Sequence, residues 1–173
     1  MGTNLITQQG NLSEALDSLT LDQAYQLIGG DHQSHIPFLV WLLENPDSVL
    51  ALPGKIYLKE HDLIHIILNR GFSLDDEAYV VGFTMGNDSK TTRWHLLIFK
   101  LCSSLFYPKK FKFDRENLKN FDLGFLLGKN LPTKNINQMD FAPHLQTRIS
   151  QLRAELGIDT ATIFQSKKND RDD

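Results

Sequence analysis

The chain has a single cysteine, Cys102, which excludes an internal disulfide framework and fits a reducing compartment. It sits in an apolar run and reads as a small core residue rather than a nucleophile. There is no uninterrupted stretch of about 18 apolar residues, so no segment is expected to span a bilayer. The opening MGTNLITQQG lacks a basic region followed by an apolar one, so no secretory signal is expected. Ile6 stands where a myristoylation signal places Ser or Thr. Strong charge is missing too: the formal net charge is -3, so no global basic field invites nucleic acid. The sequence carries no GxGxxG after a strand, no GxxxxGK[ST], no GxSxG and no HExxH.

What remains is a chain of 173 residues, long enough for one domain with a real core. Apolar residues recur at helical spacing nearly throughout. The expected fold is all-α: a single-domain orthogonal or irregular bundle of about seven helices with an apolar cavity. The domain is placed at residues 12–158, with flexible tails at 1–11 and 165–173. Two short patterns, 12–19 and 20–28, stop at Gly29-Gly30. DHQSHIPFLVWLLENP follows, with Pro37 near the first turn and Pro46 past the end. Central helices are expected over 56–69 and 74–85, the second because VVGF would have no sheet partner as a strand. RWHLLIFKLCSSLFYP is the longest apolar element, opened by Thr91 or Thr92. Asp114 caps a helix ending near Gly128, where Gly124 admits another backbone, and 144–156 forms the last helix. KKFKFD reads as a loop with anchored phenylalanines.

The organising stretch is EHDLIHIILNRGFSLDDE, residues 60–77. A helix turns about 100° per residue, so His61 and His65 lie about 40° apart in projection and one turn apart in height. Asp62 falls about 100° from His61, at the edge of the same arc. Leu58, Leu63, Ile64, Ile66, Ile67 and Leu68 surround them, so the helix is expected to be buried. Buried polar groups need partners. Two readings satisfy that need: core histidines hydrogen-bonded to acids, or a divalent metal with Glu77 completing the set from the next helix. Ser73 is the expected N-cap of that helix, with Asp76 in the capping-box place. Imidazole favours zinc; iron and manganese also fit, and magnesium would lean on Asp62, Glu77 and water. Trp94, Leu97, Phe106 and Phe125 are candidate walls of a greasy pocket. His32, His35 and Asp140 are further candidates without distinctive spacing, and His95 is a candidate to face inward.

His61-Asp62-x-x-His65, then eleven residues, then Glu77, resembles the H-D-x-x-H-x11-E signature of the coenzyme Q (ubiquinone) biosynthesis family. Leu152-Arg153-Ala154-Glu155-Leu156-Gly157-Ile158 is similar to that family's L-R-x-E-L-G-I ending, and the likeness extends over roughly residues 35–160. The resemblance implies a mostly α-helical protein with His61, Asp62, His65 and Glu77 as metal and catalytic residues. Zinc is the metal it implies first. It also implies a prenylated lipid or quinone precursor as ligand, peripheral membrane contact and a quinone-biosynthesis complex; self-association, such as a homodimer, is expected from the number of apolar helices. The implied activity is oxidative removal of the ring C1 carboxyl group. The alternatives are a non-catalytic lipid-binding scaffold and an isoprenoid-phosphate hydrolase built on His61 and Asp62. The chain is shorter than the family's better-known members and shows no mitochondrial targeting segment. A bacterial-type, cytoplasmic protein, peripheral on the inner face of a membrane, is therefore expected. Lys109, Lys110 and Lys112 beside Phe111 and Phe113 are the best local candidates for that contact.

Overall fold

The computed structural model describes residues 15–28 and 43–159. Within them the helical spacings become helices: α1 (Leu21–Ile28), α2 (Leu58–Ile67), α3 (Leu74–Asn87), α4 (Arg93–Leu105), α5 (Arg115–Asn130) and α6 (Ile149–Leu156). Short 3-10 turns lie at Lys109–Phe111, Ile136–Gln138 and Ala142–His144. Residues 15–18 and 43–44 are helical as well. The result is an all-helical, single-domain bundle of about seven helices with no sheet among the described residues. The patterns at Gly29-Gly30 and at the Pro37 helix, and both tails, lie outside those residues. None of the described helices is long and apolar enough to cross a membrane.

The helix starts follow the side chains that can satisfy orphan backbone donors. Ser73 accepts from the Asp76 amide at the head of α3. Asp114 accepts from the Glu116 and Asn117 amides, and the Asn117 side chain accepts from the Asp114 amide. At α4, Thr92 accepts from the His95 amide and His95 Nδ1 accepts from the Thr92 amide. His95 therefore belongs to a cap and does not face the site.

α3 and α5 make the tightest pairing. Gly82 and Gly86 sit four apart on α3, and Gly124 and Gly128 four apart on α5, so each pair lines one stripe. A methyl group at Gly82 would overlap the Phe121 carbonyl oxygen, and one at Gly86 the Phe125 carbonyl. In return, Gly124 lies against the Tyr79 carbonyl and Gly128 against that of Phe83. The two backbones touch because no side chain separates them. For this reason α5 runs on to Asn130 instead of breaking at Gly128.

Two apolar clusters flank this pair. One gathers Leu63, Ile64 and Ile67 of α2 with Tyr79 and Phe83 of α3 and Ile149 and Leu152 of α6. The other gathers Val81, Met85, Phe99, Phe113 and Phe121. Phe113 anchors the basic-aromatic loop by packing edge-on against Phe99, as expected for one of its phenylalanines. Cys102 is half-buried.

The last helix begins at Ile149, five residues later than its spacing suggests. The preceding backbone is committed elsewhere. Leu145 and Thr147 carbonyls accept from the Asp22 and Leu21 amides, and the Ile149 amide donates to Leu19. Thr20 and Arg148 form an isolated antiparallel bridge.

The glycine contact gives a direct expectation. Gly124→Ala forces a methyl group into a backbone carbonyl that cannot rotate away, so unfolding free energy should fall by about 2–3 kcal/mol. Urea unfolding followed by circular dichroism should show a lower midpoint with an unchanged slope.

Candidate metal centre

α2 carries His61 and His65 on successive turns, and their rings meet edge to face at 4.7 Å. Both Nε2 atoms face Glu77 in the first turn of α3. His65 Nε2 lies 3.4 Å from one carboxylate oxygen, and His61 Nε2 lies 3.8 Å from the other. One atom from each of the three side chains lies within 4.8 Å of the other two.

The turn between α2 and α3 sets this geometry. Asn69 takes a left-handed backbone, φ 51°, and the Arg70 amide donates to the His65 carbonyl. Gly71 then presents its carbonyl oxygen 2.7 Å from His65 Nδ1. A carbonyl can only accept, so Nδ1 carries a proton, and Nε2 is the nitrogen left to bind a metal beside Glu77. Phe72 stacks on the His65 ring at 4.9 Å. The Arg70 guanidinium lies 3.6 Å over the Tyr79 ring and pairs with Asp76, whose carboxylate also accepts from the Ser73 hydroxyl. Each contact pins the head of α3, where the helix dipole favours a carboxylate such as Glu77.

Burial governs the charge states. It pushes His61 down to about 4, against the pull of Glu77, so His61 is neutral at pH 7. Burial also works against ionisation of Glu77, but the attraction of the facing imidazoles, once they are protonated in acid, outweighs it and holds the carboxyl below its usual range. The neutral His61 imidazole, the His65 ring turned by Gly71 and a carboxylate suit a divalent cation. Among the described residues, His61 Nε2 and His65 Nε2 are buried without a hydrogen-bond partner. A tetrahedral ion with bonds of about 2.1 Å holds its ligand atoms roughly 3.4 Å apart, close to the spacings found. The residues therefore fit a divalent metal without selecting zinc over iron or manganese. The three ligands found among the described residues are one short of a tetrahedral set, and Glu77 keeps 32% of its side chain exposed.

The sequence expectations divide here. Asp62, counted with the ligands, lies outside the three-residue cluster. It is buried, and its charge instead raises the pKa of the Tyr25 phenol of α1, second to burial. The turn of about 100° from His61 carries it off the ligand face. The walls of the expected greasy pocket are corrected as well. Trp94 is 72% exposed, Leu97 56% and Phe106 61%, so these three cover the outside of the bundle. Phe125 is half-buried and lines a separate surface cleft with Arg93, Lys129 and Lys134. Asp140 is exposed and caps the turn at Ala142. His32 and His35 lie outside the described residues.

Two ionisable side chains with distant partners, the buried Arg153 and the half-buried Glu44, went unnoticed in the sequence. Arg153 is 1% exposed; its Nε donates to the Ile67 carbonyl at 2.6 Å and its Nη2 to the Ile66 carbonyl at 3.2 Å, and it pairs with Asp17. It thus holds the carboxyl end of the helix that carries both histidines. Glu44 accepts a 2.8 Å hydrogen bond from the buried Tyr107 hydroxyl. Burial pushes its carboxyl up to about 7, and the nearby charge of Glu77 adds to that. The usable signal was a lone acid at the end of the apolar run FLVWLLE.

Comparison with family models, with curated proteins and with solved structures gives no match.

His61 makes the metal-free protein acid-sensitive. Its folded pKa lies below its ordinary 6.5, so between those values the unfolded chain binds a proton that the folded chain refuses. The contribution of His61, read as the difference in unfolding free energy between wild type and His61→Gln, should hold steady above about pH 6.5 and fall by up to about 3 kcal/mol toward pH 4. Glu44, raised to about 7, works in the opposite direction between about 4.5 and 7, so urea titrations of both proteins at stepped pH are compared pairwise.

Proposed function

We infer that the chain is a metal-dependent protein whose ligand is a lipid with an oxygen-rich, anionic head group. A prenylated quinone precursor is the ligand class implied by the H-D-x-x-H-x11-E resemblance. The observation that carries this reading is the pair of buried, unpartnered imidazole nitrogens facing Glu77. Zinc is the ion assigned first, on the histidine pair. A divalent cation held there would supply positive charge to a ring carboxylate and the phenolic oxygens beside it.

The chain's own residues shape the rest. The Gly71 carbonyl turns the His65 ring, and burial keeps His61 neutral at neutral pH. Glu77, partly exposed, marks the approach to the site. The chemistry proposed is oxidative removal of the ring C1 carboxyl group. The second reading is a scaffold that binds the lipid without turnover. It is favoured by the outer face of α4, where Trp94, Leu97, Ile98, Leu101 and Leu105 are all exposed on one arc. Lys109, Lys110 and Lys112 are exposed beside it. An apolar arc flanked by lysines suits an anionic membrane surface and a peripheral, cytoplasmic-face location. The same arc could equally be shared between two copies of the chain.

Metal analysis tests the main reading. The purified protein should carry about one equivalent of divalent metal, and His65→Ala and Glu77→Gln should lose at least tenfold in affinity. Asp62→Asn should keep the metal. Retention of a full complement by His65→Ala would end the assignment. The membrane reading makes a separate prediction: the protein should float with vesicles containing anionic lipid. Leu101→Glu, or loss of the three lysines, should leave it in the soluble fraction.

A further inference from the structure

Beside the three ligands lies a small, partly open cavity whose lining includes Glu44, His61, Ile56, Thr84, Met85 and Phe99. About 10 Å³ is free there, roughly the room one water molecule needs. Its walls are mostly apolar. The Thr84 hydroxyl is already committed to the Val81 carbonyl at 3.0 Å. Glu44 and His61 are the side chains left to meet a molecule in that space.

Glu44 is fixed from several directions. The Tyr107 hydroxyl donates to its Oε1, and the Tyr107 ring sits edge-on to Phe99 at 6.3 Å. The Glu44 carbonyl accepts from the Ile56 amide at 3.1 Å, just before α2 begins. A carboxylate with one oxygen tied to a phenol has its other oxygen available for a further donor.

The two histidines also differ. His65 has its outward nitrogen on the Gly71 carbonyl. Metal-binding imidazoles nearly always rest their second nitrogen on a carbonyl, a carboxylate or a water, which fixes the ring and its tautomer. We propose that Glu44, oriented by Tyr107, is the positioning carboxylate of the metal centre, acting on His61 through a water molecule held in the cavity they share. The proposal rests on the metal-dependent reading above. It gives His61 the partner that Gly71 gives His65, and it explains why an acid is kept in an apolar wall.

Titration with Co2+ alone, read by its visible absorption, separates the two ideas. Wild type should bind one equivalent, and His65→Ala should lose it. Glu44→Leu should remain folded in metal-free melts and bind Co2+ at least tenfold more weakly. Glu44→Gln, whose amide oxygen can still accept from the water, should stay within about threefold of wild type. Tyr107→Phe should fall between the two, and it decides the matter should Glu44→Leu fail to fold. Wild-type affinity in both Glu44→Leu and Tyr107→Phe, with His65→Ala inactive in binding, would overturn the role of Glu44 and leave the metal centre standing. Equal binding by wild type and His65→Ala, or none by wild type, would overturn the metal centre itself and this proposal with it.

Discussion

Backbone-to-backbone contact between α3 and α5 is the constraint on which the other helices depend. Four glycines, two on each helix, let carbonyl oxygens of one chain segment rest against Cα atoms of the other. Such a crossing tolerates little sliding or separation, because there are no flexible side chains between the axes to repack. α3 is therefore a fixed strut, and its first turn is where Glu77 is mounted. The opposing helix is secured differently. α2 has its last carbonyls gripped by the buried Arg153 guanidinium, and burial makes that grip costly to break. The meeting of His61, His65 and Glu77 thus follows from two distant anchors, one made of glycine and one of arginine.

The chemistry of the site is a matter of what the protein withholds. It buries two imidazoles, keeps His61 uncharged by denying it solvent, and commits the outer nitrogen of His65 to a carbonyl. It then leaves the inner nitrogens without a donor or acceptor of their own, apart from a carboxylate at ion-pair distance. A buried polar atom left in this state costs stability unless a ligand takes it up. The arrangement resembles a receptor for a cation more than a packed polar core, where each of those nitrogens would have found a hydrogen bond.

Much of this was legible in the residues. The caps at Ser73, Thr92 and Asp114 follow from side-chain chemistry at single positions, and the buried character of α2 and α3 follows from their lack of a polar face. The histidine pair and Glu77 were legible because helical spacing is fixed. Asp62 misled because adjacency in sequence means a quarter-turn apart on a helix. Trp94, Leu97 and Phe106 misled for another reason: large apolar side chains suggest an interior, yet α4 turns only Phe99 and Ser103 fully inward. The delayed start of α6 depends on a bridge to Thr20, which no local pattern announces. Arg153 and Glu44 were hidden for the same reason, since the partners that justify a buried charge come from Ile66, Ile67, Asp17 and Tyr107, far away in the chain.

His61, His65 and Glu77 belong to consecutive helices joined by a short turn. Bringing them together closes only a small loop, at little entropic expense compared with docking α5 or α6. A cation held by all three would tie the two helices together directly, and its binding free energy would add to the stability of the folded chain.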